Sequence, residues 1–166
     1  MSDHALVPRP VCDSQSEMAE IVLPNDANPL AALLGGRLMH WIDLAGAMAA
    51  HRHSRNYVVT ASVDHIDFLV PVRVGDLAIL RSSVNRVFST SMEVGVKVFS
   101  ENVLTGERKH TSSAYLTFVA IDTERHPHSI PPLILKTAVE RRRYRDAESR
   151  RRIRLAHRYG RPRGEF

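Results

Sequence analysis

Apolar and small residues fill one stretch in the first third of the chain at helical spacing. The apolar positions are Leu38, Met39, Trp41, Ile42, Ala45, Met48 and Ala49, and small residues occupy most of the positions between them. Such spacing predicts an α-helix that starts at Gly35-Gly36. Because little of this helix can face water, we expect it to be buried.

Beyond the helix the pattern changes to alternation with period two, which predicts strands. In the first of them Val59, Ala61 and Val63 alternate with Thr60, Ser62 and Asp64. The predicted strands are Glu17–Leu23, Val58–Phe68, Leu77–Ser89, Ser91–Val103 and Glu107–Asp122. One strand, one buried helix and four long antiparallel strands predict an α+β fold in which a curled sheet wraps around a single helix.

Length and composition favour one globular domain. The chain has 166 residues, of which 43% are hydrophobic and 25% are charged, which is enough apolar content for a core. A lone cysteine, Cys12, excludes an internal disulfide. The first residues lack the pattern of a signal peptide, and no apolar run approaches the length of a membrane span, so we expect a cytoplasmic protein without membrane contact.

The net charge of +5 is concentrated at the C-terminal end. Residues 137–166 contain eleven arginines and four acidic residues, a balance of +7, so residues 1–136 carry −2. A helix is predicted over 139–159, with Asp146–Arg150 and Glu148–Arg152 as i,i+4 pairs and Gly160 and Pro162 ending it. We therefore expect a flexible segment over 1–16, a folded domain over 17–135 and a basic helical tail over 136–166.

Three features near the central helix are candidates for chemistry. Asp43 is an ionisable group on an apolar helix, which is costly unless it is paired or functional. The Gly35-Gly36 helix start offers free backbone N–H groups that can stabilise an oxyanion, and Asn28 precedes it. From the residues alone a structural role stays open for each: an ion pair or loop cap for Asp43, a turn for Asn28, and a tight turn into the helix for the glycines.

Several motifs together resemble a known family. The segments are GGRLMHWIDLAGAMAAHRHS, VVTASVDHIDFLVPVRVGD, STSMEVGVKVFSENVLTGERKHTSSAYLTFVAID and IPPL. They resemble the hotdog-fold acyl-CoA thioester hydrolases, in particular the branch with the bacterial YciA-like and vertebrate brain-type enzymes. The resemblance covers roughly residues 18–134 and implies a hotdog fold, hydrolysis of acyl-CoA to fatty acid and coenzyme A, and a homo-oligomer, a dimer at least and a trimer of dimers by analogy.

The resemblance also implies a composite active site at the dimer interface, with Asn28 and Asp43 as the catalytic pair from different subunits. Helix geometry agrees with this division. Asp43 lies about 10 Å beyond Gly36 along the helix, so a carbonyl at the Gly36 amide cannot reach the Asp43 of its own chain. We expect Gly36, helped by Gly35, to hold the carbonyl oxygen while Asp43 of the other subunit acts as general base or attacks directly.

Coenzyme A is expected to bind along a strand and a corner that the resemblance implies. These are the strand residues Thr60, Ala61, Ser62 and Val63 and the corner residues Ser89, Thr90 and Ser91. Its phosphates require cations, for which Arg86, Arg108 and Lys109 are the candidates; for each, an ordinary solvated charge is the alternative. No cofactor and no metal are expected, since the scattered histidines do not have ligand spacing.

A dehydratase on the same fold is not expected, because its usual histidine signature is not evident in the sequence. Two other functions are alternatives. A non-catalytic acyl-CoA sensor would require a DNA-binding module, for which residues before 18 leave no room, and would lack Asn28 and Asp43. Nucleic-acid binding by the arginine-rich tail is the second alternative, because clustered arginines are typical of phosphate binding. Few aromatic residues, Tyr144 and Tyr159, accompany those arginines, so nucleic acid is not the expected partner.

Overall fold

A computed structural model describes residues 6–159 of the chain. Within these residues, two α-helices and seven strands follow one another along the chain. They are β1 (Arg9–Pro10), β2 (Ser16–Ile21), α1 (Gly35–Ser54), β3 (Tyr57–Phe68), β4 (Leu77–Val87), β5 (Ser91–Glu101), β6 (Arg108–Ile121), β7 (Leu133–Ile134) and α2 (Ala138–Tyr159). The predicted ends of α2 at Gly160 and Pro162 lie outside the described residues.

One antiparallel sheet forms the body of the fold. Its strand order is β2-β4-β5-β6-β3, and its inner face packs on α1. The core joins Trp41, Ile42 and Ala49 of the helix to Met92 of β5 and Phe118 of β6, all 7% exposed or less. The predicted α+β hotdog architecture, a sheet wrapped around one central helix, is therefore confirmed.

The first sixteen residues differ from the predicted flexible segment where they are described. β1 pairs with β7 in parallel, and residues 11–14 form a 3-10 turn. Val11 is 3% exposed and the Ser14 side chain is fully buried, where its hydroxyl accepts a hydrogen bond from the Val84 amide (3.0 Å). Apolar burial and this hydrogen bond hold the segment on the domain, although its sequence shows no clear periodicity.

Two β-bulges break the predicted alternation of β3. In its pairing with β6, Thr60 lies opposite Phe118 and Ser62 opposite Thr117, so Ala61 is an extra residue. Asp64 is a second extra residue, between Val63 and His65. Each bulge exchanges the two faces of the strand, so Thr60 and Val63 face the helix side while Ser62 faces outward, and the simple period-two assignment of this strand is wrong.

Helix α2 is not a free basic tail, because it lies on the outer face of the sheet. Glu93 of β5 is 1% exposed, and both its carboxylate oxygens accept hydrogen bonds from the Arg150 guanidinium at 3.0 and 2.7 Å. Ala147 of α2 is fully buried. A buried carboxylate is stable only when it is paired and hydrogen-bonded. The positive charge of Arg150 on α2 therefore neutralises the buried Glu93.

Gly46 lets α1 approach the sheet closely, and we expect Gly46→Ala to lower the thermal stability. A Cβ added there would lie 2.9 Å from the Phe118 ring, which is 1% exposed and packed within the core. Overpacking of this kind costs about 1–3 kcal/mol. Thermal unfolding should show a lower Tm.

The matched control is Gly36→Ala in the same helix, where an added Cβ meets no atom of the described residues within 4 Å. Alanine is a better helix former than glycine, so this variant should be at least as stable as the wild type. Equal Tm shifts in both variants would contradict the close approach at Gly46.

His53 gives the fold a dependence on pH. Its side chain is fully buried, Nε2 hydrogen-bonds to the Pro131 carbonyl (2.8 Å), and Nδ1 is buried without a partner among the described residues. Burial therefore lowers the pKa of His53 from its ordinary 6.5. Below that pH the unfolded chain binds a proton at this histidine more readily than the folded chain does. The contribution of His53 to the free energy of unfolding is therefore fully present above about pH 6.5 and is lost as the pH falls.

We expect His53→Gln to weaken this decline, since an amide can still donate to the Pro131 carbonyl but does not titrate. One proton changes the free energy of unfolding by at most about 1.4 kcal/mol per pH unit. Denaturant unfolding at pH 7.5 and 5.0 measures the difference. His157→Gln, at an exposed position of α2, should keep the wild-type pH dependence, and an unchanged dependence in His53→Gln would contradict the assignment.

Candidate active site

The side chain of Asp43 lies at the inner face of the sheet beside strand β3. It is partly buried in the middle of α1, and its Oδ1 accepts a hydrogen bond from Thr60 Oγ1 (2.7 Å). The first bulge of β3 follows Thr60 directly. The bond fixes the orientation of the carboxylate while leaving Oδ2 for another partner, and bulges of this kind re-aim side chains next to active sites.

The start of α1 offers hydrogen-bond donors. Leu34 is the residue before the helix, and the first intrahelical bond runs from the Leu38 amide to the Leu34 carbonyl (3.0 Å). The amides of Gly35 and Gly36 therefore have no acceptor within the helix. Both residues are exposed, so a carbonyl oxygen can approach the start of the helix.

Asn28 organises the loop that leads into α1. Its Oδ1 accepts hydrogen bonds from the amides of Leu30 (2.9 Å) and Ala32 (3.2 Å), which makes it the turn residue that the sequence left open. Within residues 6–159 no hydrogen bond uses its Nδ2. The amide therefore has one end committed to the loop and a donor end available to a ligand.

A second carboxylate ties this loop to the helix. Asp26 is 7% exposed and pairs with Arg37 Nε in the first turn of α1 (2.7 Å), while its carbonyl accepts a hydrogen bond from the Leu34 amide (2.8 Å). The loop and the helix start are thus held as one unit. The sequence did not predict a role for Asp26, because an acidic residue eleven positions before Arg37 gives no local signal.

Asn28 and Asp43 are not joined by any hydrogen bond within residues 6–159. Strand β3, which carries Thr60, is at the edge of the sheet and exposes apolar side chains, among them Val59 (46%), Val63 (50%) and Phe68 (56%). An edge strand with exposed apolar residues is a template for pairing with another chain. The surface beside Asp43 is thus suited to a second protomer.

The predicted strand and corner for coenzyme A are only partly suited to a ligand. Thr60 and Val63 face the helix side, Ala61 is at the first bulge, and Ser62 instead donates to Asp64 Oδ1 on the outer face (3.1 Å). Ser91, in the corner between β4 and β5, is in register with Val119 of β6. The next residue before Val119 is Phe118, the strand partner of Thr60, so the corner lies near Thr60. The hydroxyls of Ser89, Thr90 and Ser91 make no hydrogen bonds within residues 6–159, so the corner can accept a ligand.

The three cations predicted for the phosphates are occupied. Arg86 pairs with Glu148 of α2 (2.8 Å) and stacks on Tyr144. Arg108 pairs with Glu101 (2.6 Å), and Lys109 pairs with Glu107 (3.3 Å). Arg86 therefore helps to dock α2, and its predicted role in phosphate binding stays a prediction.

Arg108 and Lys109 are also remote from Asp43 in one protomer. Arg108 precedes Phe118, the partner of Thr60, by ten positions along β6, a stretch of strand up to about 33 Å long at about 3.3 Å per residue. We therefore do not expect either residue to bind the phosphates of a coenzyme A whose thioester lies at the Asp43 of the same chain. Binding of the phosphates at a site that contains the Asp43 of the partner stays a prediction.

The described helices include none that is long and apolar enough to cross a membrane. Within residues 6–159, no group of three or more metal-ligating side chains lies close enough to hold a metal ion. The expectation that catalysis needs no metal and no cofactor stays a prediction.

These features define an α+β domain with a carboxylate held against an exposed edge strand. The family model of the thioesterase superfamily matches residues 31–107. A Bacillus subtilis protein described as an uncharacterized acyl-CoA thioester hydrolase is 43% identical over 119 residues, which are 72% of this chain and 69% of that protein.

Solved structures agree with this relationship. An apo-hexameric acyl-CoA thioesterase is 38% identical with a TM-score of 0.89, over 93% of this chain and 100% of that one. An acyl-CoA hydrolase of Staphylococcus aureus, in complex with butyryl coenzyme A, coenzyme A and coenzyme A disulfide, is 34% identical with a TM-score of 0.85, over 92% and 93% of the two chains. The chain belongs to the acyl-CoA thioester hydrolase family of the thioesterase superfamily.

Proposed function

We propose that this protein hydrolyses acyl-CoA thioesters at composite sites between two protomers. The observation that carries the proposal is the hydrogen bond from Thr60 to Asp43 at an exposed edge strand. It holds a carboxylate ready for proton transfer at the surface where a second copy would bring its own Asn28 and Gly36. Membership of the family supports the reaction class.

In the proposed reaction one protomer binds the thioester carbonyl and the other activates water. The carbonyl oxygen accepts hydrogen bonds from the Gly36 amide and from Asn28 Nδ2, with Gly35 as an additional donor. Preorganised donors of this kind stabilise the negative charge that develops on the oxygen. Asn28 Nδ2 is assigned this role because its Oδ1 is already bound to the loop.

Asp43 of the partner acts as general base. Its Oδ2 takes a proton from a water molecule whose oxygen attacks the carbonyl carbon, and a tetrahedral oxyanion forms. When the C–S bond breaks, the protonated Asp43 returns the proton to the departing sulfur, which leaves a carboxylic acid and the coenzyme A thiol. Direct attack by Asp43 to give a mixed anhydride, hydrolysed in a second step, is the alternative order of events.

The oligomer proposed for this chain is a dimer at least, and a trimer of dimers as its full assembly. The exposed apolar residues of β3 support the dimer, and the hexameric state of a solved relative supports the larger assembly. Light scattering of the purified protein measures it. A monomer at micromolar concentration would contradict the composite site.

We also propose a cytoplasmic location. Cys12 is an exposed free thiol, and a free thiol of this kind is usual in a reducing compartment. Fractionation of cells that express the protein tests this point.

The experiment that tests the function is a turnover screen over acyl-CoA substrates from acetyl to palmitoyl, with release of free thiol as the signal. We expect hydrolysis of at least one chain length. Turnover of none, combined with stabilisation of the protein by acyl-CoA in thermal unfolding, would replace the hydrolase by an acyl-CoA sensor. The structure does not favour nucleic-acid binding as the main function, since Arg150 and Arg154 are ion-paired to the sheet.

A further inference from the structure

We propose that Arg154 of α2 is a positioning residue that holds the bulged stretch of β3 and so keeps Thr60 directed at Asp43. The inference rests on the proposed hydrolase function and assigns part of it to a helix outside the catalytic domain. Its basis is the ion pair between Arg154 and Asp64, together with the anchoring of α2 on the same sheet face.

Asp64 is one of the two extra residues of β3, four positions after Thr60. Its side chain is 12% exposed and pairs with the Arg154 guanidinium, itself 20% exposed. The Ser62 hydroxyl donates to the other oxygen of the same carboxylate (3.1 Å). Asp64 thus ties together the segment between the two bulges.

The position of Arg154 is set independently of Asp64. One helical turn earlier, Arg150 binds both oxygens of the buried Glu93 on β5, and its guanidinium lies 3.8 Å from the ring centroid of Tyr115 on β6. Tyr115 is in turn the strand partner of His65. The helix is therefore fixed on β5 and β6 and can hold the neighbouring edge strand β3 in place.

Within one chain, an edge strand with two bulges is held in register by β6 alone unless another element supports it. Register in a strand depends on which face is buried, and a shift by one residue turns every side chain to the other face. Only β6 pairs with β3 within the described residues, and both irregularities lie within the stretch that follows Thr60. The Asp64–Arg154 pair resists a slip that would turn Thr60 away from the carboxylate.

The test compares Arg154→Leu with Arg152→Leu in the full-length protein. Arg152 is exposed on the same helix and takes part in no ion pair within residues 6–159, so its replacement removes equal charge without touching β3. We expect Arg154→Leu to lower kcat about tenfold with KM changed less than twofold, because misplacement of a catalytic group costs rate rather than affinity. Arg154→Lys, which keeps the charge, should recover most of the loss.

Hydrogen–deuterium exchange of the peptide covering 57–68 gives a readout that does not depend on activity. We expect faster exchange around residues 60–66 in Arg154→Leu and wild-type exchange in Arg152→Leu. Unchanged kcat in Arg154→Leu, an equal loss in Arg152→Leu, or unchanged exchange would each overturn the proposal. A wild type that hydrolyses no acyl-CoA would refute the proposed function instead, and the exchange experiment would still decide whether Arg154 holds β3.

Discussion

Replacement of Asp43 by asparagine is expected to lower kcat by about 10³-fold or more while leaving the oligomer intact. General bases contribute about 10²–10⁴ in rate, and an amide cannot accept the proton from water. The substitution is nearly isosteric, and the Oδ1 of asparagine can still accept the hydrogen bond of Thr60. The structure beside the site should therefore persist.

Steady-state release of free thiol measures the effect, and size-exclusion chromatography verifies the assembly. Asp13→Asn is the matched control, since Asp13 is an exposed aspartate in the 3-10 turn before β2. It should retain wild-type turnover. Turnover of Asp43→Asn close to that of the wild type would remove Asp43 from the mechanism.

Replacement of Asn28 by aspartate should distinguish the role of its Oδ1 in the loop from the role of its Nδ2 in catalysis. Aspartate keeps the oxygen that accepts from Leu30 and Ala32 but has no donor for the carbonyl oxygen of the substrate. Loss of one oxyanion donor costs about 10²–10³ in rate, and a negative charge beside the oxyanion adds to that cost. We expect kcat to fall by at least this factor with an unchanged Tm.

Asn28→Ala is the companion variant. It removes both functions, leaves two loop amides without their acceptor and should also lower the stability by about 1 kcal/mol. Thermal unfolding and thiol release on both variants give the comparison. If Asn28→Asp were active and Asn28→Ala inactive, the asparagine would serve only the loop.

The central helix and the strand order could be predicted because both depend on periodic burial of apolar residues. From Leu38 to Ala49 the apolar residues keep the same helical spacing over three turns. Every predicted long strand is present within a few residues of its predicted ends. Patterns of this length average over local exceptions. The candidate carboxylate was found for the same reason, as an ionisable group within an apolar helix.

The faces of β3 could not be predicted because the two bulges leave no mark in composition. Ala61 and Asp64 are ordinary strand residues in the sequence, and only pairing with β6 shows them to be extra. Thr60 was assigned to coenzyme A rather than to Asp43, because that contact joins residues 17 positions apart in different elements. Long-range side-chain contacts of this kind depend on register.

The docking of α2 was missed although one signal was available. Glu93 stands in the apolar run SMEVGVKV, and a carboxylate in a covered strand requires a cation. The arginine-rich segment supplies it through Arg150. In one protomer the acidic Glu148 of α2 pairs with Arg86, so the role of Arg86 in phosphate binding stays a prediction.

The most direct measurement mixes two inactive variants. Asn28→Asp and Asp43→Asn are co-expressed with different affinity tags, and hydrolysis by the mixed oligomers is compared with that of each variant alone. Since a mixed dimer would contain one intact site and one doubly altered site, about one quarter of all sites should regain activity at random pairing. Should the mixture stay as inactive as its parents, both groups would have to act from the same chain, contrary to a site shared between protomers.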